Sequence, residues 1–145
     1  MKNLFALVLL IAGGVAAAGE PIANLESFEK ELTTCLVRDV KKAKCITTIL
    51  SPRTVPNDQS FQAGASQLDD MFQKWLAEDT VFAVHHVERR QWAGIIDKRL
   101  YLIEDTTGAL MLFTVTFRNV LGKWYVSNCN LSSKPEALEK LMDED

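Results

Sequence analysis

The residues of this chain whose types and spacing come closest to chemistry are His85-His86-Val87-Glu88. Imidazole is a common metal ligand and the side chain that titrates near neutrality, and a nearby carboxylate can complete a ligand set or orient the ring. The surrounding segment, Thr80 to Arg90, is rich in valine and reads as a strand. Strand neighbours point to opposite faces, so His86 shares a face with Glu88 while His85 takes the other. A metal site would then need a third ligand, which Asp97 or Glu104 could supply only by accident of register. No metal ligand is assigned.

Cys129 is the other reactive candidate, since a thiol becomes a nucleophile when a base lies within about 3 Å. Either histidine would have to reach it across a sheet, and a reactive thiol is a liability in an oxidising compartment, so Cys129 reads as buried or bridged. The chain has three cysteines, and one thiol is left over whichever pair forms. Ten helical steps of about 1.5 Å would separate Cys35 from Cys45 by roughly 15 Å, against a disulfide ceiling of roughly 7 Å. A Cys35–Cys45 bond therefore requires the chain to turn back between them, for which Asp39 could cap a second helix. That pairing is favoured over one joining Cys129 to either helical cysteine.

Asp69-Asp70 suggests paired carboxylates, but adjacent helical residues do not face each other. Glu104-Asp105 reads as turn chemistry. The sequence contains no Cys-x-x-Cys, His-Glu-x-x-His, Gly-x-Ser-x-Gly, phosphate-binding glycine loop or EF-hand loop, and no catalytic residue or cofactor is assigned. Trp75, Trp92, Tyr101, Trp124 and Tyr125 are the candidates for a ligand pocket. A concave sheet could gather them against helices, where small ligands bind largely through apolar contact; core packing is the plainer reading of the group.

The elements that must position these residues begin after a leader. Lys2, the apolar stretch from Leu4 to Val15 and the small residues Ala16-Ala17-Ala18-Gly19 have the layout of a secretory signal peptide. Residues 1–19 are expected to be removed, leaving one domain over residues 20–145 in the periplasm or the medium. The formal charge is -3. An acidic chain with no basic block has no electrostatic case for nucleic acid or an anionic bilayer, and no membrane anchor is expected.

Asn24 can cap a helix whose face is Phe28, Leu32, Cys35 and Leu36, and Val40, Ala43, Ile46 and Leu50 repeat the spacing beyond Asp39. Ser51 to Ser60 is a breaker-rich loop. A third helix, capped by Asp58 or Ser60, runs to about Ala77 with the stripe Phe61, Ala65, Leu68, Phe72, Trp75 and Leu76. After the Thr80 strand, Trp92 to Ile96 resumes β character and Asp97-Lys98-Arg99 interrupts it. Leu100 to Leu131 then forms three β-rich runs joined at Asp105-Thr106-Thr107-Gly108 and Leu121-Gly122-Lys123. In the middle run Met111, Phe113, Val115 and Phe117 share one face, with Leu110, Leu112, Thr114, Thr116 and Arg118 on the other. Ser133 to Glu136 fits a capping box for a short tail helix.

Helices followed by an antiparallel meander give an α+β class. The hairpin at residues 105–108, the long strand Ala109 to Asn119 and the closing Leu121-Gly122-Lys123-Trp124-Tyr125-Val126-Ser127 resemble the NTF2-like fold. That resemblance covers residues 25 to 131 and implies a cone, N-terminal helices wrapped by a curved antiparallel sheet of about four strands. As an acidic, single-domain, disulfide-bearing exported chain, it also resembles periplasmic immunity or inhibitor proteins that occlude a toxin or hydrolase. This implies a protein partner, a homodimer being compatible with it, and an exposed apolar-aromatic patch rimmed by acids such as Asp69-Asp70 or the tail. The alternative, a small-ligand carrier or pocket enzyme of the NTF2-like kind, implies a deep cavity with converging polar groups.

Overall fold

The computed structural model describes residues 19–142, without the side chains of residues 39–42 and 142. The expected leader thus lies outside the described residues except for Gly19, as does the acidic end 143–145. Among the described residues no helix is long and apolar enough to cross a membrane.

Helix α1, Leu25–Ala43, begins where the Asn24 side chain accepts the Ser27 N–H at 2.8 Å, satisfying one of the donors that a helix start leaves open. The helix does not restart at Asp39. It runs on to Ala43, and the chain reverses at Lys44, which takes a left-handed φ of 46°. The reversal brings Cys45 beside Cys35, and the two form the disulfide with Cα atoms 6.0 Å apart. Ile46–Leu50 is a π-helical turn followed by a 3-10 turn at Ser51–Arg53. Helix α2, Gln59–Leu76, is capped by Asp58 and buries Ala65, Phe72 and Leu76.

Strands β1 (Val81–Trp92), β2 (Ile96–Asp105), β3 (Leu110–Val120) and β4 (Lys123–Ser132) follow, then helix α3, Pro135–Met142. The strands pair antiparallel in the order β1-β2-β3-β4. The sheet is open, and the NTF2-like cone expected from the sequence is overturned. β1 and β4 stand at opposite edges, and β4's outer edge is taken by other segments: Ile22 N–H donates to the Trp124 carbonyl at 2.8 Å and Val55 N–H to the Val126 carbonyl at 3.2 Å. With that edge occupied, the sheet does not curl onto itself. At the other edge, register shifts between Val81 and Ala83 and between His86 and Glu88 mark irregularities in β1, which discourage pairing with a further strand.

Register assigns the two faces. The inner face carries the rows Gln91-Asp97-Phe117-Val126, Arg89-Arg99-Val115-Cys129 and His86-Tyr101-Phe113-Leu131. Its β3–β4 half is apolar and buried, forming one core with Phe28, Leu32 and Leu36 of α1 and Phe72 and Leu76 of α2. Phe28 meets Phe117 edge-on at 5.9 Å, a favoured geometry for aromatic pairs. Its β1–β2 half is polar towards the β1–β2 loop, at Gln91-Asp97 and Arg89-Arg99, while Val81, Tyr101 and Ile103 further along join the same core. The outer face carries Trp92-Ile96-Arg118-Tyr125, Arg90-Lys98-Thr116-Asn128 and Glu88-Leu100-Thr114-Asn130.

Candidate functional site

Asp97-Lys98-Arg99 does not interrupt a strand; it is the start of β2, with Asp97 and Arg99 pointing into the protein at 0% and 1% exposure. Isolated, either charge would be strongly disfavoured there. Instead the Arg99 Nε donates to Asp97 Oδ1 at 3.2 Å. Asp97 Oδ2 accepts from Arg89 Nη2 at 2.6 Å and from Gln91 Nε2 at 2.9 Å. Arg99 also pairs with Glu29 of α1, and Glu29 accepts the Tyr101 hydroxyl at 2.6 Å. The Arg99 guanidinium lies 5.6 Å from the Phe117 ring centroid, within cation–π range.

Burial alone would raise the Asp97 carboxyl, but the hydrogen bonds from Arg89, Arg99 and Gln91 and the Arg99 charge hold it below the usual carboxylate range. Burial, with the bond to Glu29 and its charge, pushes the Tyr101 phenol up and keeps it protonated. Asp97 therefore stays ionised and occupied, with no proton to exchange near neutrality. The network is a tie between α1, β1 and β2. It leaves a shallow cleft of about 290 Å³ beside it, lined by Glu26, Glu29, Lys30, Val84, His86 and Tyr101.

The tie lies directly beneath the most unusual surface of the molecule. The β1–β2 loop is Ala93-Gly94-Ile95, its first two residues with φ of 49° and 66°, and the Ile95 N–H donates to the Trp92 carbonyl at 2.9 Å. The β3–β4 loop is Leu121-Gly122 with φ of 51° and 81°. The β3–β4 loop, with two residues both at positive φ, is a type I′ turn, where asparagine or aspartate normally precedes glycine. Both tips point the same way, because the Asn119 N–H donates to the Ile95 carbonyl at 2.7 Å. Around them Trp92, Ile95, Ile96 and Leu121 are 47%, 52%, 36% and 98% exposed. Arg118, the cross-strand neighbour of Ile96, and Lys123, that of Val120, are exposed beside them. Arg90 and Lys98 form the next outer pair.

The five aromatic pocket candidates are distributed over both faces. Trp92 and Tyr125 fall in one outer row, separated by Ile96 and Arg118. Tyr101 points inward to Glu29, Trp124 packs on the core from β4, and Trp75 stacks on Phe72 of α2 at 5.8 Å. His85 and His86 diverge as strand geometry requires: His85 Nε2 lies 2.9 Å from Glu104 on the outer face, while His86 stands edge-on to Tyr101 at 5.5 Å. Cys129 is buried, and burial together with the Asp69 charge pushes its thiol up, which removes thiolate character at neutral pH. Among the described residues no three potential ligands cluster as a metal site.

Asp69 and Asp70, considered for an acidic rim, have other places. Asp69 is buried and accepts the Ile46 and Thr47 N–H groups at 3.0 and 2.8 Å, closing the start of the π turn; Asp70 is exposed on α2. The rim at the apolar end is basic, from Arg118 and Lys123. The acidic rim from Asp69-Asp70 that the likeness to periplasmic immunity and inhibitor proteins implied is not found, and the likeness is withdrawn. No protein-family model matches the chain, and the comparison with curated proteins gives no match either.

Proposed function

We propose that this protein is a binding module that works outside the cytosol and docks onto a protein partner, blocking or accompanying it, through the hairpin end of its sheet. The observation that carries this reading is Leu121. It is 98% exposed and holds φ at 51°, so neither packing nor turn geometry favours leucine there. Burial against a partner would contribute about 1.5–3 kcal/mol from this one side chain. Trp92, Ile95 and Ile96 extend the apolar surface, and tryptophan is enriched where binding energy concentrates. Arg118 and Lys123 favour an acidic surface around the partner's apolar cleft.

Export is supported by the composition of residues 1–19 and by the Cys35–Cys45 bond, a linkage that persists in oxidising compartments. The test is capture from the exported fraction of the native cell with tagged protein, sizing of the complex, and flotation with phosphatidylglycerol vesicles. A stoichiometric complex that Trp92→Ser/Leu121→Asn abolishes is expected. A complex indifferent to that variant, or binding to vesicles alone, would refute docking by this end.

A further inference from the structure

Away from the hairpin tips, the outer face of the sheet is partly roofed. Helix α3 lines one side of a half-open crevice of about 280 Å³ there, near the lower end of small-molecule sites, which run from roughly 300 to 1,000 Å³. Its apolar surface comes from Leu100 and Leu112 on the sheet and from Ala137 and Leu141 on α3. Leu100 is only 8% exposed although it belongs to the face away from the core.

The polar groups are unevenly divided. β3 and β4 contribute the neutral Thr114 and Asn130, while β1, β2 and α3 contribute the charges. Glu88 is engaged by Arg90, so its charge is countered within the lining. Lys98 from β2 and Lys140 from α3 then make the crevice positive. An apolar slot with two ammonium groups and neutral hydrogen-bonding partners matches one ligand chemistry. A neutral hydrocarbon would leave the lysines unused, and a two-chain lipid exceeds the volume.

We propose that this crevice binds a small amphiphilic carboxylate, with its aliphatic body against Leu100, Leu112 and Leu141 and its carboxylate held by Lys98 and Lys140. The site is separate from the docking end and does not depend on it. Its test is titration of octanoate into isotopically labelled protein, followed by amide chemical shifts, with octanol as the uncharged control.

Saturable shifts confined to Leu100, Leu112, Thr114, Asn130 and Ala137 are expected, with octanol binding at least tenfold more weakly. Lys98→Glu/Lys140→Glu, whose fold is checked by circular dichroism, should weaken octanoate at least tenfold. Ala137→Trp should fill the slot from the helix side and abolish binding. Shifts centred on Trp92 and Leu121, equal affinity for octanol, or a double variant that binds as the unaltered protein does would each overturn the proposal.

Discussion

The loops at the two ends of the sheet are built by opposite rules. At the β2–β3 end the turn is polar and internally satisfied: Asp105 Oδ1 accepts the Thr107 N–H at 2.8 Å, the Thr107 hydroxyl at 2.7 Å and the Ala109 N–H at 2.9 Å. The loop's Asp105, Thr107 and Gly108 have a reason in turn chemistry. At the other end, two loops carry alanine and leucine at positive φ where asparagine or aspartate would serve the backbone better, and Trp92, Ile95, Ile96 and Leu121 face solvent. Turn formation explains the β2–β3 loop itself, beside which Phe82 and Leu110 are 66% and 38% exposed. It leaves the other end with apolar surface that the fold does not require, set on a base fixed by Asp97.

The largest expected effect comes from breaking that base. Arg99→Met leaves Asp97 and Glu29 without their shared guanidinium, and loss of one partner from a buried pair costs about 3–5 kcal/mol, measurable by urea unfolding. Next is the docking end itself. Trp92→Ser/Leu121→Asn should weaken partner binding about a hundredfold, read by surface plasmon resonance, while unfolding stability stays within about 0.5 kcal/mol.

The polar end should show the reverse. Asp105→Ala removes an acceptor of three hydrogen bonds and should lower the melting temperature by a few degrees with partner affinity unchanged.

Acid titration sharpens the contrast. Asp97 and Asp105 are both depressed, Asp97 by hydrogen bonds that outweigh its burial and Asp105 chiefly by the Thr107 hydroxyl. A depressed carboxyl contributes stability above its unfolded value of about 3.9, and that contribution is lost as pH falls through the folded value. Stability should therefore be level above about pH 5 and fall below about pH 4. Asp97→Asn should be less stable at neutral pH and show a shallower acid limb. The smallest effect is Leu121→Asn alone, which should raise stability by a few tenths of a kcal/mol because asparagine tolerates the left-handed region.

Much of the framework was legible from local pattern. Asn24, the alternatives Asp58 and Ser60 and the apolar stripes located the starts of α1 and α2, and the alternation from Met111 to Phe117 grouped the residues that form the inner face of β3. The open sheet was not legible, because what occupies β4's edge is Ile22 and Val55, and nothing in either segment announces a strand partner. The β1–β2 hairpin was obscured by Ala93-Gly94, which lacks the usual asparagine. Asp97-Lys98-Arg99 resembled a charged loop because its compensation is non-local: Arg99 meets Glu29 across 70 positions of sequence. Period-two spacing of Asp97 and Arg99, with Arg89 and Gln91 at the same spacing on the neighbouring strand, was the available signal. Asp69 was singled out only as half of a carboxylate pair, and its role in capping the π turn was hidden for the same reason, since its partners lie at Ile46 and Thr47.

The most direct test places a photo-crosslinking amino acid at Leu121 in one sample and at Thr107 in another, then irradiates each in the exported fraction of the native cell. Docking through the apolar end predicts a discrete adduct of one partner from position 121 and none from position 107. Equal labelling from both ends, or an adduct from position 107 alone, would contradict it.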